Sequence, residues 1–206
     1  MRQTSITRAT LGRLPKYLNF LKSSETDGYI SATAVAKALN LGEVQVRKDL
    51  KAVSGAGRPK VGYLKKELIA NLESRLGIRA ANSAVIVGAG RLGKALLGFE
   101  GFSEYGLEII AAFDTSPSEI GKKISGKEIL SVGELRSYCQ LNDVKIGIIT
   151  VPNEAAQETC DELLKNGITA VWNFAPVNLK VPETVALRQE NLALSLAHLN
   201  LLINQQ

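Results

Sequence analysis

Apolar residues change their spacing part-way along the chain, and the change marks two different architectures. In the first third they recur every three or four positions. Leu11, Leu14, Tyr17, Leu18 and Leu21 share one face of a helix read over Arg8 to Lys22. Pro15 fits badly inside that span, so the helix is expected to start near Arg13 with Pro15 in its first turn. After the turn Glu25 to Tyr29, Ser31 is placed to cap a short helix whose apolar stripe is Ala34, Val35, Ala38 and Leu39. Asn40-Leu41-Gly42 breaks it. Glu43 to Val53 reads as a third helix, Gly55 to Lys60 as a tight basic loop, Val61 to Leu64 as a short strand, and Lys65 to Leu76 as a fourth helix. The segment Gly77 to Ser83 then reads as a boundary.

Beyond it, short continuous apolar runs alternate with helical patterns. The runs are Ala84–Val87, Glu108–Phe113, Val144–Val151 and Ile168–Trp172. The helical patterns are the stretch after Gly93, Leu130–Leu141 with Leu135 and Tyr138 inward, and Glu154–Asn166 closed by Gly167. Strands alternating with helices imply right-handed crossovers and a parallel sheet covered on both faces. The expected class is therefore α/β: an N-terminal winged helix-turn-helix followed by a Rossmann doubly wound sheet. The last apolar segment, Asn191 to Asn204, is different again. Leu192, Leu196, Leu199 and Ile203 form one stripe, and Leu194, Ala197, Leu201 and Leu202 fill most of the rest. A helix apolar nearly all round is buried, and at this end of the sequence the simplest cover is a partner subunit. The expected division is 1–78, 79–188 and 189–206.

The first strand-to-helix junction carries chemistry. Val87 is followed by Gly88-Ala89-Gly90-Arg91-Leu92-Gly93, a G-x-G-x-x-G turn. Gly88 permits the turn, Gly90 lets the backbone approach a pyrophosphate, and Gly93 lets the helix pack on the strand. Asp114 stands at the tip of the second strand, 21 residues after Gly93. A carboxylate there can take both ribose hydroxyls and repels a 2′-phosphate. Ligands of such sheets lie outside the carboxyl ends of the strands. The loops Thr150-Val151-Pro152 and Asn173-Phe174-Ala175-Pro176 are therefore candidates for the nicotinamide half of an NAD or NADH site.

Charge divides the chain at the same boundary. Residues 1–80 hold 15 Lys and Arg against 6 Asp and Glu, a net of +9, whereas residues 81–206 hold 10 against 14. The basic part suits a polyanion. At about 100° per residue, Arg47, Lys48 and Lys51 lie roughly 140° from the apolar face made by Val46, Leu50 and Val53. Gln45 flanks the basic face and can reach a base edge. Arg58 and Lys60 on the glycine loop suit phosphates or a minor groove. Helix, helix, turn, helix and basic hairpin make a DNA-binding order. Cys139 and Cys160 sit in no metal or disulfide pattern, and His198, the one histidine, reads as structural. No apolar run approaches the roughly 20 residues of a membrane helix. A cytoplasmic location is expected.

With Val46-Arg47-Lys48-Asp49-Leu50, the glycine turn, Thr150-Val151-Pro152 and Asn173-Phe174-Ala175-Pro176 together, the chain resembles the Rex family of redox-sensing transcriptional repressors from about Arg13 to its last helix. The resemblance implies a homodimer with a C-terminal helix swapped between subunits. It implies binding to a palindromic double-stranded operator at low NADH, and release when NADH binds. Gly88, Gly90, Gly93 and Asp114 match the family's cofactor residues, Gln45, Arg47 and Lys48 its recognition helix, and Arg58 its wing. Three positions depart from it. Asn19 stands where the family has an Arg, Phe99 where it has a Tyr, and Asn191-Leu192 where it has an Asp before an aromatic. The resemblance assigns those groups to the link between nicotinamide and DNA-binding domains, so weaker discrimination between NADH and NAD⁺, or a differently wired response, is expected. An NAD-dependent oxidoreductase with a basic appendage is the alternative. Against it, the Rossmann part leaves no room for a substrate domain, and no Tyr is followed four residues later by Lys.

Overall fold

A computed structural model of the chain describes residues 6–78 and 82–204, apart from the side chain of Arg8. Met1–Ser5 and the boundary residues 79–81 lie outside the described residues. The chain divides into two compact units, Met1–Ala80 and Ala81–Gln206.

The first unit contains four helices, α1 (Arg8–Ser23), α2 (Ala32–Ala38), α3 (Glu43–Ser54) and α4 (Lys65–Leu76), with a two-stranded antiparallel sheet of β1 (Tyr29–Ile30) and β2 (Tyr63–Leu64). Leu14, Tyr17, Leu18 and Leu21 of α1, Val46, Leu50 and Val53 of α3, and Leu68 and Leu72 of α4 form its core. Two expectations are corrected here. Helix α1 starts at Arg8, not near Arg13, because Thr7 caps it: its hydroxyl accepts from the Thr10 amide. Pro15 is thus inside the helix, on its exposed face, where a carbonyl left without an amide donor meets water. Helix α2 does begin at the Ser31 cap, whose hydroxyl accepts from Ala34 at 3.0 Å. Its buried positions, however, are Ala32, Val35 and Ala36, and Ala34 and Ala38 are exposed. With so many alanines the stripe was degenerate, and Ala32-Val35-Ala36-Leu39 is an equally good helical spacing.

The wing follows α3. Arg58 and Gly62 exchange backbone hydrogen bonds, 2.7 Å from the Arg58 amide and 2.9 Å from the Gly62 amide. Gly62 has φ +100°, and a Cβ there would overlap the Ile30 carbonyl of β1. Only glycine closes the hairpin against β1.

The second unit is a seven-stranded sheet. Its strands are β3 (Asn82–Val87), β4 (Leu107–Asp114), β5 (Lys123–Ile124), β6 (Lys127–Ser131), β7 (Ile146–Ile149), β8 (Ala170–Asn173) and β9 (Ala186–Gln189). The spatial order is β5-β6-β4-β3-β7-β8-β9, all parallel except the edge strand β5. The helices are α5 (Arg91–Leu97), α6 (Leu135–Leu141), α7 (Asn153–Lys165) and α8 (Leu192–Ile203). Apolar clusters cover the sheet on both faces. The helix expected over Leu130–Leu141 starts later than read. Lys127–Ser131 is a strand, and a capping box of Ser131 and Glu134 opens the helical turn that precedes α6. Strand order reverses around β3, since β4 and β6 lie on one side and β7 and β8 on the other. That reversal opens a crevice beyond the carboxyl ends of β3 and β7.

Candidate dinucleotide cleft and nucleic-acid interface

The glycine turn occupies that crevice. Gly88 follows β3 with φ +102° and donates its amide to Phe113 O at 2.8 Å. A Cβ on Gly88 would stand 2.8 Å from the Thr150 carbonyl, and one on Gly93 would overlap the Gly88 carbonyl oxygen. Thr150 locks the turn from β7 by donating its hydroxyl to Gly88 O at 2.6 Å. A Cβ on Gly90 would meet nothing within 4 Å, so the backbone there faces open space. These three positions thus play three parts: Gly88 turns the chain, Gly93 admits α5 against the turn, and Gly90 leaves an approach for a ligand.

Asp114 reaches back to the turn. One carboxylate oxygen accepts from Ala89 N at 2.6 Å, and the other accepts from Ser116 N at 2.8 Å. Each oxygen keeps a further lone pair, so a ribose diol can still be received. A cleft of about 700 Å³ lies in front of these groups, lined by Gly88, Gly90, Asp114, Thr150, Val151 and Pro152 among others. The cleft also takes in Thr115, Val132 and one face of α7, from Ala155 to Glu162, which sequence reasoning missed. The signal was present in the sequence, because α7 is the helix that follows the Thr150 loop. A cradle that a Cβ would fill, an open backbone at Gly90 and a carboxylate at a strand tip fit a dinucleotide.

The other expected cleft residues are placed elsewhere. Gly93 is buried inside the turn, and Arg91 and Leu92 lie exposed on α5. None of Asn173, Phe174, Ala175 and Pro176 lines this cleft. Asn173 is fully buried and spends its amide on the loop: Nδ2 donates to the carbonyls of Ala175 and Val177 and to Gln189 Oε1, and Oδ1 accepts from Ala175 N. Ala175 is buried in the sheet core, and Phe174 packs on Trp172 at 4.5 Å between centroids. Pro176 is exposed.

In the first unit α3 turns Arg47, Lys48, Lys51 and Gln45 to the outside, while Val46, Leu50 and Val53 are buried. Arg47 pairs with Glu43 one turn earlier. Lys60 and Arg58 are exposed on the wing, with the Arg58 guanidinium 5.2 Å above the Tyr29 ring. The structure also reveals a group that sequence reasoning passed over. Asp49 of α3 is buried, and both its oxygens are doubly held. Thr10 Oγ1 donates at 2.9 Å, Tyr17 Oη at 2.7 Å, and Arg13 donates from Nε at 2.7 Å and Nη2 at 3.0 Å. Burial pushes the carboxyl up, but the hydrogen bonds from Arg13, Tyr17 and Thr10 and the Arg13 charge outweigh it, and the acid stays below its usual range. Burial and the bond to Asp49 push Tyr17 up to about 12. The sequence signal was an acid at the edge of an otherwise apolar helix face. Burial raises the Cys139 thiol to about 11 and also raises that of Cys160. Among the described residues no cluster of His, Cys, Asp and Glu could hold a metal, and no helix is long and apolar enough to cross a membrane.

Fold and sites define a winged-helix protein with a Rossmann-type ligand unit in the same chain. Comparison with known proteins agrees in both halves. A family model described as CoA binding domain matches residues 80–177, and one described as putative DNA-binding protein N-terminus matches residues 5–51. A redox-sensing transcriptional repressor Rex from Treponema denticola is 41% identical over 194 residues, covering 93% of this chain and 92% of its own. The Rex protein of Bacteroides fragilis is 40% identical, covering 98% and 91%. Among solved structures, that of RSP in complex with β-NAD⁺ and operator DNA has a TM-score of 0.91 at 33% identity, covering 98% of this chain and 94% of that one. RSP in complex with β-NADH has a TM-score of 0.88 at 32% identity, covering 98% and 96%. The chain belongs to the Rex family of redox-sensing transcriptional repressors.

Proposed function

We propose that this protein is a DNA-binding repressor that senses the NADH/NAD redox state. The observation that carries the reading is the pairing, in one chain, of a glycine-cradled cleft ending in Asp114 with a recognition helix whose outer face is Gln45, Arg47, Lys48 and Lys51. A relative of the same fold has been solved with β-NAD⁺ and operator DNA together, and again with β-NADH. Gly88, Gly90 and the amides of the turn receive the pyrophosphate, Asp114 the adenosine ribose, and Thr150 to Pro152 the approach to the nicotinamide. Arg58 and Lys60 place the wing on phosphates.

The ligand acts by binding and not by turnover. The dinucleotide supplies binding energy that differs between its redox forms, and only such a difference can move the protein between DNA-bound and released arrangements. Two copies of the chain associate through α8, whose six leucines and Ile203 are all exposed in the single chain. Two-fold symmetry in the protein calls for a palindromic operator. NADH bound in the cleft releases the winged helices from it. The test is a mobility shift on a two-fold-symmetric duplex pool with the full chain and with Arg47→Ala/Lys48→Ala. Binding that survives the double substitution at physiological salt contradicts the assignment of α3.

A further inference from the structure

The outer face of α3 has an apolar side chain at its centre. Val44 is 66% exposed, and among the described residues it is the one large apolar side chain of α3 left open to water. At about 100° per residue, Arg47, Lys48 and Lys51 stand within roughly 60° of the azimuth of Val44, Arg47 and Lys51 on one side and Lys48 on the other. The cations therefore flank it, one and two turns further along the helix. Single surface valines are ordinary, but this one stands in the middle of the face that carries the charge. It also stands in the first turn. Gly42 caps the helix without a side chain, and Glu43 is spent on the ion pair with Arg47. The face is held from behind: Val46, Leu50 and Val53 are buried, and Asp49 ties α3 to Thr10, Arg13 and Tyr17 of α1. Val44 is β-branched, so its two methyl groups keep one strongly preferred rotamer in a helix.

A recognition helix enters the major groove with its N-terminal residues against the base edges. The centre of its outer face goes deepest, while long cationic side chains beside it reach the phosphates. A valine at that centre has neither donor nor acceptor, so it reads no base by hydrogen bonding. The one apolar group that a base shows in the major groove is the C5 methyl of thymine. Seating that methyl against Val44 takes apolar surface out of water on both partners. Adenine, guanine or cytosine would instead press a polar edge against a side chain that cannot pair with it. We propose that Val44 is a specificity-determining residue that receives the methyl group of one thymine in each half-site. The proposal rests on the reading of α3 as the DNA-recognition helix.

The test uses uracil, which keeps every hydrogen-bonding group of thymine and lacks only the methyl. The full chain first selects its preferred sequence from a randomised, two-fold-symmetric duplex pool. Each thymine of the selected half-site, on either strand, is then replaced in turn by deoxyuridine in both half-sites together. Affinity for each duplex is measured by fluorescence anisotropy with the unaltered protein and with Val44→Ser. At one position the unaltered protein should lose about fourfold per half-site, the factor for burial of one methyl group. There Val44→Ser should bind the thymine and uracil duplexes within about twofold of each other, and at the other thymines the two proteins should respond alike. The comparison is a double-mutant cycle between one side chain and one methyl, so any change that uracil makes to the duplex alone cancels. A loss below about twofold at every thymine overturns the proposal, as does a uracil effect equally large in Val44→Ser. A selected half-site without thymine overturns it too. A full chain that enriches no sequence and binds no duplex overturns the DNA-binding reading itself, a result distinct from binding that ignores the methyl.

Discussion

Asp49 shows how much one buried acid can organise. It ties α1 to α3 through Thr10, Arg13 and Tyr17, and every lone pair that points inward has a donor. Removing it leaves a guanidinium and a phenol without their acceptor. Asp49→Ala should therefore cost about 3 kcal/mol or more in thermal or denaturant unfolding; a loss below about 1 kcal/mol contradicts the account. The same group gives a pH signature. Its acid is depressed in the folded state, so its stabilisation is present above the ordinary carboxylate range and is lost as pH falls through the depressed value. Tyr17 works in the other direction. Its pKa is raised from 10.0 to about 12, so its contribution is full below pH 10 and is lost between there and about 12. Unfolding in Asp49→Ala should be less dependent on acid pH than in the unaltered protein. At the glycine turn, Gly93→Ala pushes a Cβ into the Gly88 carbonyl. The turn must shift, and dinucleotide affinity should fall by at least about tenfold in calorimetric titration, with about 1–3 kcal/mol lost in stability. An unchanged affinity would show that the ligand does not rest on this turn.

At the scale of elements, α8 poses the clearest question. Its leucines and Ile203 are exposed in the single chain, and its N-terminus is capped by Asn191, which accepts from Leu194 N at 2.9 Å. A helix of this composition is stable in water only when covered. Leu196→Glu/Leu199→Glu should convert a dimer into a monomer in sedimentation, with the fold of the first unit unaltered by circular dichroism; a dimer of unchanged affinity contradicts the assignment. Most elements were legible because their periods differ. The 3.6-residue spacing of α1 and α3 and the continuous runs of β3, β4 and β7 admit one reading each. The α1 start was missed through a local cap, Thr7, and the other failures share a cause, which is local ambiguity settled by tertiary contacts. Lys127–Ser131 has one apolar pair, Ile129-Leu130, too short to separate a strand from the start of α6. Strand β9 alternates only weakly and pairs with β8 at the sheet edge. The α2 stripe was degenerate among alanines. At the turn, the glycines Gly88, Gly90 and Gly93 were legible because backbone geometry dictates their type, whereas Asp114 and Thr150 were legible only as residues just at or beyond strand ends. The fate of Asn173 was not, since its four hydrogen bonds depend on Val177 and Gln189 returning to the same loop.

At the scale of the molecule, the proposed function requires that the cleft of the second unit act on the α3 face of the first. The three positions that the family resemblance makes ionic or hydroxylic carry none of those groups here. Asn19 is exposed, Phe99 packs edge-on against Phe102 at 4.9 Å, and Asn191 spends its oxygen on the α8 cap. Loss of one charge-assisted hydrogen bond, about 1.5 kcal/mol, removes about a factor of ten in affinity. Calorimetric titration should therefore give NADH and NAD⁺ affinities within about tenfold of each other; a preference for NADH of a hundredfold or more contradicts that expectation. The central claim is that the cleft beside Gly88 and Asp114 controls the DNA-binding face of α3. The measurement that meets it most directly is the affinity of the full chain for a selected palindromic duplex, by fluorescence anisotropy, with NAD⁺, NADH and NADP titrated separately. The account predicts that NADH lowers DNA affinity and that NADP does not, because Asp114 rejects a 2′-phosphate. DNA affinity unchanged by NADH, or lowered equally by NADP, would contradict it.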